Sequence, residues 1–302
     1  MTINMIKILG EQLGEGMMRL NEPMRRHTSF KIGGRADIFV MPETIGQLAF
    51  VVSSCHENGI DLLVMGNGSN LLVSDGGIGG CVVSTKALRG IGFADGEIHA
   101  QAGLTMKELA RFALSRELAG LEFADGIPGT VGGGVFMNAG AYGGEMAQVF
   151  LRAEVINPAG ELITMGLDEM DFAYRQCAVQ KNGMIIAGAA FALMPGNRTE
   201  ILTKINDFNG RRKEKQPLEY PSAGSAFKRP PGHFAGKLVQ DAGLAGHKIG
   251  GAQISEKHCG FIINTGGATA ADVMALLDYT KNTVMEKFGI ELEPEIKIVG
   301  RQ

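Results

Sequence analysis

The chain has 302 residues, with 29 Lys and Arg against 32 Asp and Glu, a formal net charge of −3. That balance excludes a nucleic-acid binder held by phosphate contacts, and a hydrophobic content of 45% with 20% charged residues excludes a disordered chain. No run of about 18 apolar residues marks a membrane span. Glu11 and Glu15 fall where a secretory signal needs an apolar core, and Cys55, Cys81, Cys177 and Cys259 have no metal or redox spacing, so a cytoplasmic protein of about two domains is expected.

In chain order, strands are expected at 36–41, 62–65, 80–84, 153–157, 161–165 and 185–194, from short runs rich in β-branched residues. Asn157-Pro158-Ala159-Gly160 reads as a hairpin turn between two of them. Thr44 with Gln47 resembles a capping box opening a helix that ends near Gly59. Thr105 with Glu108 opens a second helix, with Gly120 as its stop. Ile201, Leu202, Ile205 and Phe208 keep helical spacing up to Gly210. Thr269 with Asp272 opens the longest, with Val273, Leu276, Leu277, Thr280, Val284 and Phe288 on its buried stripe. The polar stretch Gly210–Gln216 reads as a domain boundary, and the mixture predicts an α+β protein.

Glycine is 44 of 302 residues, about twice the ordinary usage of roughly 7%. The glycines cluster. Gly66-Asn67-Gly68-Ser69-Asn70 follows a predicted strand and offers unhindered N–H groups and short polar side chains, as a nest for a diphosphate would. It is neither a Rossmann fingerprint, since Leu71 stands where a glycine is needed, nor a P-loop. The segment Asp125-Gly126-Ile127-Pro128-Gly129-Thr130-Val131-Gly132-Gly133-Gly134, followed by Asn138-Ala139-Gly140-Ala141-Tyr142-Gly143-Gly144, is denser in glycine than a turn requires and points to close approach of a large ligand. Two such segments can clasp a dinucleotide. Arg175, after Tyr174, can clamp a carboxylate or can be a surface arginine. Ser225 sits in a Gly/Pro-constrained loop, and Glu295 alternates with Lys297 on a final strand. The six histidines show no metal-ligand spacing, so no metal is expected.

Together these motifs, with Thr28-Ser29-Phe30-Lys31-Ile32-Gly33-Gly34, Ala223-Gly224-Ser225-Ala226-Phe227 and Glu293-Pro294-Glu295, resemble the UDP-N-acetylenolpyruvoylglucosamine reductase (MurB) family from about Asn21 to Val299. The resemblance implies an N-terminal segment at 1–32 and an FAD-binding region of the vanillyl-alcohol-oxidase (PCMH) type at 33–198. A substrate-binding domain would follow at 199–290, and a C-terminal strand at 291–302 would return to the FAD region. It implies FAD as cofactor, NADPH as hydride donor and the enolpyruvyl ether of UDP-N-acetylglucosamine as acceptor, giving UDP-N-acetylmuramate for peptidoglycan. The alternative is another FAD oxidase or dehydrogenase on the same scaffold.

Carried over by motif, the implied catalytic residues are Arg175, Ser225 and Glu295. Ser225 would be the proton donor, and Arg175 and Glu295 would stabilise charge on the enolpyruvyl group. The cofactor contacts would be Gly66, Asn67, Gly68, Ser69, Asn70, Gly126, Ile127, Pro128, Gly129, Thr130, Gly132, Gly133, Asn138 and Gly140. Tyr174 and Lys215 would contact substrate. Only 50 positions separate Arg175 from Ser225, so the chain resembles the shorter form of the family, without the extra tyrosine-bearing loop that some members fold over the substrate.

Overall fold

The computed structural model describes residues 2–14 and 16–301; Met1, Glu15 and Gln302 lie outside the described residues. The chain forms two compact units, each assembled from three separate segments. The first takes Met1–Leu20, Ile38–Asn67 and Gly80–Arg211, and the second Asn21–Asp37, Gly68–Gly79 and Arg212–Gln302.

In the first unit, a five-stranded antiparallel sheet runs in the order Leu162–Gly166, Phe150–Ile156, Ile185–Ala192, Glu97–Gln101, Ile91–Ala94. The expected hairpin is present: Ala153 lies opposite Met165, and the Asn157 and Glu161 backbones close the turn. A four-stranded sheet, in the order Met18–Pro23, Arg35–Val40, Ile78–Ser84, Leu62–Met65, holds Leu62–Met65 parallel to Ile78–Ser84. Fully buried Phe191, Ile98, Leu109, Val131 and Val135 share one core; Ile38, Val40, Leu48, Val51 and Val83 share another. Each large side chain removed from water contributes about 1.5–3 kcal/mol.

Helix starts follow the side-chain signals. Thr44 caps Ile45–Glu57 and Thr105 caps Met106–Ser115, each in a reciprocal box with the residue three positions on. The third predicted helix spans Arg198–Lys215 and does not stop at Gly210. A Cβ at Gly210 would meet nothing within 4 Å, so the glycine costs only about 1 kcal/mol of propensity, and the Asp207–Arg211 ion pair spans the same turn. The polar run after Gly210 is thus the last turn of a helix. The expected strand at 185–194 ends at Ala192, and Met194–Pro195 pairs separately with Leu118–Ala119.

The second unit carries a sheet in the order Ser222–Ser225, Phe261–Asn264, Ala252–Ile254, Lys248–Ile249. Helix Ala270–Phe288 lays Val273, Leu276, Leu277 and Val284 in a core with Ile254, Ile262, Phe30 and Leu72; Phe288, expected on that stripe, is exposed. Its final turn has passed the edge of the buried face, and Gly289 ends the helix in the left-handed conformation. The helix start is held twice over. Thr269 and Asp272 form a capping box, and the Asp75 carboxylate accepts from the Ala270 and Ala271 amides at 2.9 and 3.0 Å. Lys297–Val299 pairs in parallel with Leu71–Val73.

Hydrogen bonds from the Thr269 and Gly251 amides hold the Asp272 carboxyl below its usual range. A depressed native pKa adds stability above the unfolded pKa of about 3.9 and loses it as pH falls through the native value. Asp272→Ala is therefore expected to cost about 1 kcal/mol at neutral pH. Urea denaturation of both proteins at neutral pH and again below the usual carboxylate range should find that difference shrinking in acid.

Candidate active site

The two glycine-rich segments meet within the first unit. Gly66 stands so close to Thr130 that a Cβ there would lie 2.1 Å from the threonine Oγ1, and the Asn67 side-chain amide donates to the Pro128 carbonyl at 3.1 Å. Thr130, buried, is the N-cap of the short helix Val131–Phe136. Ahead of it, the Ile127 amide bonds to the Ala124 carbonyl, and the Gly129 carbonyl accepts from the Met106 amide. Gly126, Ile127, Pro128 and Gly129 thus form a turn pinned at both ends.

The first residue of this motif, given no role from sequence, anchors the turn. Asp125, directly before Gly126, is buried and pairs with the Arg111 guanidinium, whose Nη2 lies 3.2 Å from Oδ2. The Asn209 amide donates to the same oxygen at 2.6 Å. An acid beside a glycine-rich turn was the available signal, because a buried carboxylate must find cationic or N–H partners.

Much of the glycine density serves packing inside the protein. A Cβ on Gly132 would come within 2.8 Å of the Ala102 Cβ, one on Gly134 within 2.6 Å of the Met106 Sδ, and one on Gly140 within 2.7 Å of the Gly144 carbonyl. Gly133 is different: it is exposed, and its Cβ would meet only the Thr130 Oγ1, at 3.6 Å. The Gly66–Thr130 contact, the Asn67 amide and the uncovered first turn at Gly133 suit a phosphate-bearing cofactor laid across both segments.

Asn138 is buried, and both ends of its amide are engaged. Nδ2 donates to the Ala173 carbonyl at 3.2 Å, and Oδ1 accepts from the Ala147 amide at 3.0 Å. It therefore steadies the tight turn Ala173–Gln176, closed by two backbone hydrogen bonds of 3.1 Å, that carries Tyr174 and Arg175 at its tip. Arg175 adopts φ +59°, an uncommon conformation for a side-chain-bearing residue, and its carbonyl accepts from Gln180. Its guanidinium lies 5.0 Å from the exposed Tyr174 ring.

Within the second unit, the backbones around Ser225 and Glu295 are joined although the two residues are 70 positions apart. Ser225 ends the strand Ser222–Ser225 after an irregularity at Gly224, whose φ is +77°. The Glu295 amide donates to the Ala226 carbonyl at 2.9 Å, the Lys228 amide to the Glu293 carbonyl at 2.8 Å, and Phe227 bridges Pro294. Gly68, Ser69 and Asn70 belong to this unit. The Gly68 carbonyl accepts from the Ser29 amide, half-buried Ser69 follows it, and the Asn70 amide donates to the Glu295 carbonyl at 3.1 Å. Lys215, exposed, ends its helix near His258. Burial, then the Lys215 charge, pushes the His258 ring below the usual imidazole range. Its Nδ1 accepts from the Gly260 amide at 3.1 Å. Among the described residues, no group of three or more His, Cys, Asp or Glu is placed to hold a metal, and no helix is long and apolar enough to cross a membrane.

An FAD-binding-domain profile matches residues 36–166, and a profile of the UDP-N-acetylenolpyruvoylglucosamine reductase C-terminal domain matches 216–299. The UDP-N-acetylenolpyruvoylglucosamine reductase of Caldanaerobacter subterraneus subsp. tengcongensis is 51% identical over 97% of both chains. The crystal structure of the Thermus caldophilus UDP-N-acetylenolpyruvylglucosamine reductase superposes with a TM-score of 0.79, at 34% identity, over 93% of this chain and 97% of that one. An alkyldihydroxyacetonephosphate synthase structure, 14% identical, covers 64% of this chain and 40% of its own with a TM-score of 0.50, a likeness of fold alone. With both glycine-rich segments inside the FAD-binding match and the Ser225–Glu295 pair inside the other, this α+β chain belongs to the UDP-N-acetylenolpyruvoylglucosamine reductase family, whose members are oxidoreductases, and its cofactor is FAD.

Proposed function

We propose that this enzyme reduces the enolpyruvyl ether of UDP-N-acetylglucosamine to UDP-N-acetylmuramate, with NADPH as hydride donor, as a cytoplasmic step toward peptidoglycan. The observation that carries this reading is the bond from the Glu295 amide to the Ala226 carbonyl, one residue after Ser225, in a chain half identical over nearly its whole length to a reductase of that name. Bound FAD supplies a two-electron carrier between the nicotinamide and the acceptor. Gly66 and Asn67, with the segment Gly126–Gly133, hold its diphosphate.

The chemistry then asks three things of the chain. When hydride reaches the methylene carbon, the C=C electron pair moves onto the carbon bearing the carboxylate. A carboxylate is a poor sink for that pair, so charge must be stabilised as it develops. Arg175 meets this as a permanent cation that can fork onto the carboxylate. Glu295 meets it as a neutral hydrogen-bond donor or by holding a proton or water. Ser225 gives its hydroxyl proton to the carbon, completing the C–H bond, and recovers it from water. Tyr174 and Lys215 contact the remainder of the substrate.

The visible spectrum tests the reading. Purified protein is expected to be yellow, to bleach when NADPH is added without oxygen, and to regain colour on addition of the enolpyruvyl ether. Colourless protein, or colour that returns only with oxygen, overturns it.

A further inference from the structure

Glu295 has no helix or long strand behind it, yet its backbone is gripped from two sides. Its amide donates to the Ala226 carbonyl at 2.9 Å, and its carbonyl accepts from the Asn70 side chain at 3.1 Å. Asn70 holds on a second time, since its own carbonyl accepts from the Lys297 amide at 2.9 Å, where the pairing of Lys297–Val299 with Leu71–Val73 begins. Of these three bonds, the side-chain one can be removed by an amino-acid change at Asn70, because the other two use backbone atoms alone.

We propose that Asn70 is a positioning residue for Glu295. Its amide fixes the Glu295 peptide and so sets where the carboxyl stands beside Ser225. The proposal rests on the reading that Glu295 acts in the reduction of the enolpyruvyl ether. It gives Asn70, which closes the loop, a task separate from holding FAD: its side chain aligns the acid. A misplacement of about 1 Å in a reacting group can cost on the order of a hundredfold in rate.

The two half-reactions separate these tasks. In Asn70→Asp, which keeps the shape but replaces the donor with an acceptor, and in Asn70→Ala, FAD content and NADPH-driven bleaching should match the parent enzyme. Recolouring by the enolpyruvyl ether should slow about 10–100-fold, with kcat reduced and the substrate KM little changed. Adding Asn70→Ala to Glu295→Gln should slow that variant less than twofold, because the carboxyl being aligned is already gone.

Hydrogen exchange gives a readout independent of turnover: in the parent enzyme the Glu295 and Lys297 amides should be protected, and in Asn70→Ala they should exchange about tenfold faster. Unprotected amides in the parent enzyme overturn the proposal whether or not the variants fold. So do recolouring at the parent rate, equal losses in both half-reactions, loss of FAD from folded variants, and full additivity with Glu295→Gln. If the parent enzyme itself is not recoloured by the ether, it is the assigned function that fails.

Discussion

Ser225→Ala is expected to bleach with NADPH as the parent enzyme does and then to recolour at least about a hundredfold more slowly with the enolpyruvyl ether. Positioned general acids contribute roughly 10²–10⁴ in rate. The change should leave the fold in place. The bonds that fix this stretch belong to the next residue: the Ala226 amide donates to the Gly260 carbonyl at 2.7 Å, and the Ala226 carbonyl accepts from Glu295. Ser225 itself is half-buried at the strand end, so removing one hydroxyl opens no core cavity. Stopped-flow absorbance of each half-reaction, with a thermal melt alongside, checks both parts. A variant that turns over normally would falsify the proton-donor assignment.

Gly66→Ala is expected to strip the enzyme of flavin. The new methyl would stand 2.1 Å from the Thr130 Oγ1 and 3.0 Å from its Cγ2, with Thr130 buried and capping the helix Val131–Phe136. Neither side can yield without moving a glycine-rich segment, and forced overpacking of this kind costs about 1–3 kcal/mol. Purified Gly66→Ala should carry less than about a tenth of the parent's FAD, at 1.4 kcal/mol per tenfold in affinity. Adding Thr130→Ala removes the two nearest atoms and should restore part of the flavin, less the loss of the cap. The ratio of flavin to protein absorbance measures both, and full retention in Gly66→Ala rejects the packing argument.

Local chemistry made part of this molecule readable. Thr44, Thr105 and Thr269 each met its partner three residues on in a capping box, because such a box needs nothing beyond one helical turn. The Asn157–Gly160 turn was equally self-contained. The strands Ile91–Ala94 and Glu97–Gln101 escaped detection although Asp95 and Gly96, both at positive φ, make the turn between them. Gly92 and Ala94 weakened the alternation that would have marked the first strand.

What depended on distant partners was less legible. Three successive glycines at 132–134 suggested a ligand loop, yet they open a helix in which Gly132 and Gly134 fit against Ala102 and Met106. No spacing within the segment reports a neighbour thirty residues away. The same holds for the amides of Asn138 and Asn70, whose partners lie at 173 and 295. Within the protein, these side chains steady a turn and the entry to a strand.

Among the described residues, the strand Leu71–Val73 pairs with Lys297–Val299 alone. As the chain emerges from the ribosome, this early strand must wait for nearly the whole of translation before its edge is closed. The ordering cost of joining ends so far apart is met before the contacts return anything. Glu295 arrives with the same distant segment, so its peptide can be gripped by Asn70 and Ala226 only once that segment has docked.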